Sequence, residues 1–316
     1  MSHLRKQIIL FVLMISLFSS YAIAQEEEGL HDKWLVRQRE YPSDSVNPAD
    51  YFNAATQQAS NYSAVGYYSP DPWVTIGPKI SGSGTGRVTC VKYDPNYNPS
   101  TRPYIYVTGH NGGVWRSDDG GNNFISVPTD QSLPTQSSGV ICLDPNNPDV
   151  IYYATGGSVE GFKFNYYGFG VYKSTDRGNT WNGGNNVNNG KVTHSYNMVV
   201  NPSNSNIIYL AEFGGFFISS NAGSTFTAGP YPGSCQGVST SSDGQIVCAI
   251  GGYNDMFWPP HHGGMGYIRS TDYGGTFQLM SNYGFAPGER TQISVSHANK
   301  NYVYVVTRSS TILAFL

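Results

Sequence analysis

Two stretches of the chain gather the side chains with the most chemical reach. Gly156–Gly170 carries Glu160 with Phe162, Phe164, Tyr166, Tyr167 and Phe169, and Gly251–Gly266 carries Tyr253, Asp255, Met256, Phe257, Trp258, His261 and His262. Exposed aromatic rings stack on sugar faces or anchor a protein partner, so Tyr166, Tyr253 and Trp258, together with His261 and His262, are candidate ligand contacts. The same rings can instead pack on one another as a rigid cap, and residue type leaves both readings open. His261-His262 also invites a metal, with Asp255 and His110 as further ligands. Neighbours on a strand point to opposite sides and no spacing converges four donors, so neither a metal centre nor another cofactor is expected. Cys90, Cys142, Cys235 and Cys248 fit no zinc or CxxC spacing. Cys90 and Cys142 read as small core residues, whereas Cys235 and Cys248 flank a polar turn and either bridge adjacent strands or stay free.

The elements that must position these residues are announced by an eight-residue pattern that occurs four times. It reads Ser117-Asp118-Asp119-Gly120-Gly121-Asn122-Asn123-Phe124, then recurs from Ser174 to Trp181, from Ser219 to Phe226 and from Ser270 to Phe277, with starts 57, 45 and 51 residues apart. That period means a repeat architecture. Each copy predicts a turn: Ser117, Ser174, Ser219 and Ser270, with Asp119, Asp176, Asn221 and Asp272, bond nearby amides. Gly121, Gly178, Gly223 and Gly274 supply a positive φ, and Phe124, Trp181, Phe226 and Phe277 bury themselves between units. Around the octads lie short apolar runs. Inner strands are expected at Arg87–Tyr93, Gly139–Leu143 and Tyr196–Val200, ending at Asp94-Pro95, Asp144-Pro145 and Asn201-Pro202. Second strands are expected at Tyr104–Thr108, Val150–Thr155, Ile207–Ala211, Ile246–Ile250 and Tyr302–Thr307. Four antiparallel strands per repeat predict an all-β propeller of about five blades, the last incomplete.

Residues 1–24 read as an export signal: Arg5 and Lys6, an apolar run from Ile8 to Phe18, then Ala22-Ile23-Ala24 before Gln25. The mature chain is therefore expected outside the cell or on its surface, without membrane insertion. Loss of the signal removes two positive charges and moves the net charge from −3 to −5. With no basic patch, nucleic acid is not an expected partner. Residues 25–72 form a leader in which Asn47-Pro48 predicts a short helix running to about Ala59. The propeller is expected from Trp73 to Leu316. The absence of a fifth octad leaves two readings: the front of a longer propeller, which is the expectation, or a five-bladed ring closed by pairing Trp73–Gly77 with Thr311–Leu316. Oligomeric state is not legible.

The octads resemble the Asp-box, or BNR, repeat family. With Trp73-Val74-Thr75-Ile76-Gly77-Pro78, Gly86-Arg87-Val88 and Gly112-Gly113-Val114-Trp115-Arg116-Ser117, the stretch from Trp73 resembles secreted multi-box propellers common in Bacteroidetes. Its layout is similar to the sortilin-like and xyloglucanase-like propellers. The resemblance implies a ligand face opposite the octads, formed by loops between second and third strands. Xyloglucan-active relatives carry a catalytic Asp in such a loop. The matching stretch of the first blade, Thr108-Gly109-His110-Asn111-Gly112-Gly113, has His110 there, whereas Ala211-Glu212-Phe213-Gly214-Gly215 does offer a carboxylate. His110 and Glu212 thus join the candidate ligand contacts. Glu212 reads as a solvated or structural loop carboxylate, or as an acid or base partnered by Glu160 or Asp255, since glycoside hydrolysis uses two carboxylates. A sialidase-type arginine triad is not apparent among Arg87, Arg116, Arg269, Arg290 and Arg308. Arg116 and Arg269, directly ahead of octads, read as outer-strand residues. The octad acids Asp118, Asp119, Asp176 and Asp272 read as turn formers rather than calcium ligands. The expectation is an exported propeller that binds a glycan or extracellular protein, the alternative a xyloglucanase-like glycoside hydrolase.

Overall fold

Short apolar strands punctuated by Asx turns fold into antiparallel sheets, and the turns sit where the side chains demand them. The computed structural model describes residues 53, 57, 87–158, 165–166, 168–184, 186–187, 194–251, 266–280 and 290–308. Asp94, Asp144 and Asn201 each accept a hydrogen bond through Oδ1 from the amide two residues on, at 2.7, 2.9 and 2.9 Å. Each thereby ends an inner strand. Asn53 and Gln57 are helical; the signal, the rest of the leader and Trp73–Gly77 lie outside the described residues.

Four sheets have four strands each. The first blade is β1 (Val88–Tyr93), β2 (Ile105–Gly109), β3 (Gly113–Ser117) and β4 (Ile125–Ser126). The second is β5 (Ser138–Leu143), β6 (Ile151–Thr155), β9 (Val171–Ser174) and β10 (Asn182–Gly183), with a small ribbon, β7 (Gly157–Ser158) and β8 (Asn165–Tyr166), between β6 and β9. The third is β11 (Ser195–Val200), β12 (Ile208–Glu212), β13 (Gly215–Ser219) and β14 (Thr227–Ala228). The fourth is β15 (Gly237–Thr240), β16 (Val247–Ile250), β17 (Tyr267–Ser270) and β18 (Gln278–Leu279). A fifth sheet pairs β19 (Arg290–Val295) with β20 (Val303–Arg308). This is the predicted β-propeller architecture, each blade running from inner to outer strand in chain order. Thr311–Leu316 lies outside the described residues.

The two-residue period of a buried strand assigns its side chains to two neighbours. On β6, Tyr152 and Ala154 join the core shared with the third blade, whereas Ile151 and Tyr153 join the core shared with the first. On β12, Ile208 and Leu210 face the second blade, and Tyr209 and Ala211 the fourth. Phe169, read from sequence as a loop aromatic, is buried in the core between the first and second blades. Arg116 and Arg269 lie on the third strands β3 and β17, not on the outermost ones. Arg116 is there because its guanidinium pairs with Asp118 at 2.6 Å and reaches the Arg177 carbonyl of the next blade.

All four octads fold alike. The serine hydroxyl accepts from the glycine amide at 2.7–3.0 Å and donates to the Asp or Asn side chain. That Asp or Asn in turn accepts from the amide four residues on, at 2.8–2.9 Å. These donors hold the Asp119 and Asp272 carboxyls down at about 2. The glycines do take positive φ, and so do the residues before them: Gly120, Arg177, Ala222 and Tyr273. Trp181 and Phe226 are buried against the preceding blade and Phe277 packs on Tyr209 and Phe216. Phe124, in the first described blade, instead stays 38% exposed.

Cys90 and Cys142 lie in the blade interfaces as expected, and burial pushes the Cys142 thiol up to about 12. Cys235 and Cys248 are free thiols, not a disulfide. The register explains why: Cys248 pairs with Ser239 on β15, while Cys235 lies beyond the other end of that strand. There its Sγ donates to the carbonyls of Gly237 and Ile250.

Candidate functional site

A recurrent bulge shapes one end of the propeller. In β1, β5 and β11 the register slips between the first residue and the third, leaving Thr89, Gly139 and Tyr196 as extra residues. A bulge bends its strand and re-aims the side chain at that point. Here all three line one cavity of about 300 Å³, with Arg87, Val88, Ser138, Gly157, Ser195 and, from β19, Gln292. The cavity opens on the end where second strands pass into third strands, opposite the octads, as Gly157 beyond β6 marks. Gly139 permits this geometry because a Cβ there would stand 2.5 Å from the Ser195 carbonyl oxygen and 2.7 Å from that of Gly156.

The lining is mostly hydroxyl and backbone. Thr89 Oγ1 lies 2.8 Å from Thr108 Oγ1, Ser138 Oγ lies 2.7 Å from the Tyr153 hydroxyl, and Ser195 Oγ donates to the Thr155 carbonyl at 3.1 Å. Ser138 is fully buried and its hydroxyl is taken up inside the protein, whereas Thr89 and Ser195 keep lone-pair capacity beyond these bonds. Among the described residues no carboxylate lines the cavity.

Behind the lining runs a buried polar belt made of the residues that join consecutive blades. The Ser138 amide donates to the His110 carbonyl at 2.9 Å, the Ser195 amide to that of Gly156 at 3.1 Å, and the Cys235 amide to that of Glu212 at 3.0 Å. Between the fourth and fifth sheets the Gln236 side chain takes this part, accepting from the Thr291 amide at 2.8 Å. His110, His194, Glu212 and Gln236 are all buried, Glu212 completely. Of the two non-catalytic readings of Glu212, the solvated one is thus corrected and the structural one fits: it is the last residue of β12, opposite Ser195, and a tight turn through Phe213 and Gly214 leads straight into β13. His110 is likewise buried beneath the cavity floor, its Nε2 near the Gly157 backbone, rather than presented on an open loop.

His194 Nδ1 has no hydrogen-bond partner among the described residues, and its ring meets Phe213 edge-on at 5.9 Å. Burial pulls its pKa down to about 4, the Gly157 carbonyl opposes that, and His110 adds to it. A folded-state pKa below the unfolded value means the unfolded chain binds the extra proton. The stability contribution is therefore complete above about pH 6.5 and is lost as the pH falls through 4. We expect urea-unfolding stability to drop by about 2–4 kcal/mol across that window. In His194→Gln the pH dependence between 6.5 and 4 should flatten, whereas loss nearer pH 2, where Asp119 and Asp272 titrate, should persist.

The structure brings His110 and Glu212 to the cavity end, neither of them lining it. For Tyr166 it places the backbone in β8, in the ribbon that extends the first aromatic stretch from that end. Glu160, Tyr253, Asp255, Trp258, His261 and His262 lie outside the described residues, as do Phe162, Phe164, Tyr167, Met256 and Phe257. Among the described residues no group of three or more His, Cys, Asp or Glu side chains is disposed to hold a metal ion. Sequence reading missed the bulged strand starts, Arg87, His194 and Gln292. A signal existed: Val88, Ser138 and Ser195 each lie six residues ahead of the Asx-turn residue of their blade.

No family model matches the chain, and no curated protein matches it. Among solved structures, an ancestral GH74 enzyme matches with a TM-score of 0.53 at 21% identity, over 72% of this chain and 30% of that one. The GH74 xyloglucanase from Xanthomonas campestris matches with a TM-score of 0.46 at 16% identity, over 64% and 31%. The Niastella koreensis GH74 enzyme gives 0.47 at 19%, over 70% and 36%. The chain thus spans about a third of the length of these proteins. The first likeness joins the blade topology in establishing the fold of the described region as a β-propeller.

Proposed function

We propose that this chain is an exported Asp-box propeller that binds a glycan, without cleaving it, at the end where its inner strands are bulged. The observation that carries this reading is the cavity lining: hydroxyls, backbone, one amide and one guanidinium, with no carboxylate among the described residues. Such a surface suits sugar hydroxyls, and it lacks the facing pair of acids that glycoside hydrolysis uses. In sequence, the aromatic stretches Gly156–Gly170 and Gly251–Gly266 fall between the second and third strands of their blades, and aromatic rings of that kind suit stacking on sugar faces. The test is a pull-down of the mature chain on a polysaccharide panel that includes xyloglucan, with product analysis of whatever is retained. Retention of unchanged polysaccharide, lost in Tyr253→Ala and Trp258→Ala with melting temperatures within a few degrees, is the expected result. Failure to retain any polysaccharide would sink the glycan reading and leave a protein partner.

A hydrolase reading draws on one observation, the position of Glu212 at the cavity end of β12. Release of oligosaccharide that disappears in Glu212→Gln would favour it over simple binding.

A further inference from the structure

We infer that the cavity takes an acidic sugar unit, a uronic acid residue whose carboxylate is held by the Arg87 guanidinium with the Gln292 amide as second donor. The inference rests on the glycan reading above and adds the class of sugar.

The argument is one of committed and uncommitted groups. Arg102 is tied to Asp94 and Asp149, Arg116 to Asp118, and Arg177 to Asp149, so these guanidinium groups are spent on holding blades and hairpins together. Arg87 is different. It is exposed at the cavity rim, and its side chain has no ion-pair or hydrogen-bond partner among the described residues. Only its carbonyl is engaged, accepting from the His110 amide at 2.8 Å. Gln292, across the cavity on β19, is also exposed, and its amide has no partner among the described residues. The hydroxyls of Thr89 and Ser195 are engaged within the protein and present mainly lone pairs. The cavity therefore offers acceptors along its walls and uncommitted donors at Arg87 and Gln292. Sugar hydroxyls donate to the first; a carboxylate accepts from the second, and a guanidinium binds it through two parallel bonds. Among the described residues no lining carboxylate competes for Arg87. The net charge of the whole chain is −3, so attraction for an acidic ligand must be local to this cation rather than spread over the surface.

The experiment is calorimetric titration of the full mature chain, at fixed physiological salt, with uronic acid trimers (galacturonate and glucuronate) and with their methyl esters. The esters keep the ring and its hydroxyls and remove only the charge. The wild-type protein should bind an acid trimer at least about tenfold more tightly than its ester. Arg87→Gln should lose that preference, its affinity for the acid falling to about its own affinity for the ester, and Gln292→Ala should narrow it. Melting temperatures should stay put, since both side chains are exposed. Equal affinity for acid and ester, or a preference that survives in Arg87→Gln, would overturn the inference and leave the glycan reading standing. No binding of any saccharide would overturn both. Arg87-dependent capture of a short peptide with a free carboxyl terminus would likewise overturn both and identify a protein ligand.

Discussion

Trp181→Ala is expected to destabilise the propeller by about 3–5 kcal/mol, whereas Phe124→Ala, the equivalent change in the first octad, should cost less than about 1 kcal/mol. The two residues close the same turn with the same hydrogen bonds, so turn chemistry cannot separate them. Burial does. Trp181 is 8% exposed and packs with Tyr153, Val127 and their neighbours in the core between the first and second blades. Its ring centroid lies 5.8 Å from that of Tyr153. Phe124 is 38% exposed. At roughly 2–4 °C per kcal/mol for a domain of this size, the Trp181 change should lower the melting temperature by about 6–20 °C and the Phe124 change by a few degrees at most. Differential scanning calorimetry of the two variants decides the matter. Comparable losses would mean that the aromatic serves its own hairpin rather than the neighbouring blade.

Gly139→Ala should cost about 3 kcal/mol or more and abolish ligand binding with it. The backbone there has no positive φ, so the penalty is purely steric. A methyl group would sit 2.5 Å from the Ser195 carbonyl oxygen, 2.7 Å from the Gly156 oxygen and 2.7 Å from Ser195 Cβ. Two of these neighbours are backbone, and the Gly156 oxygen is itself bonded to the Ser195 amide. Relief requires β5 and β11 to move apart where both line the cavity. Gly112→Ala is the control, because its nearest neighbour, Trp115 Nε1, lies at an ordinary 3.7 Å. That change should alter stability by less than about 0.5 kcal/mol. If Gly139→Ala melts with the wild type, the blades are not locked together at the bulge and the cavity is softer than its geometry implies.

Much of the scaffold is legible without coordinates because its determinants are local. A Ser and an Asp at fixed offsets bond amides two to four residues away whatever surrounds them, so the octads and the Asx turns at Asp94, Asp144 and Asn201 announce themselves. Once the turns are set, the short apolar runs between them have room only to be strands, and their repetition means blades. The site is less legible because its determinants cross from blade to blade. Glu212 and His110 were matched to loop positions by resemblance, but a loop of two residues between β12 and β13 leaves no loop for Glu212 to occupy. Along the chain Cys235 and Cys248 could either bridge or stay free, and the strand register, which keeps them apart, decides it. Phe169 belongs by position to an aromatic stretch and by packing to the core.

The sequence by itself therefore determined the turns, the blade repeat and the all-β class, since each follows from side chains acting on their own neighbourhood. Tertiary structure alone decided which strand starts are bulged, that Thr89, Gly139, Tyr196 and Gln292 face one cavity, and that the Arg87 side chain has no partner there among the described residues. Those facts depend on where four separate inner strands meet, over sequence separations of up to about two hundred residues, and no local bond fixes them.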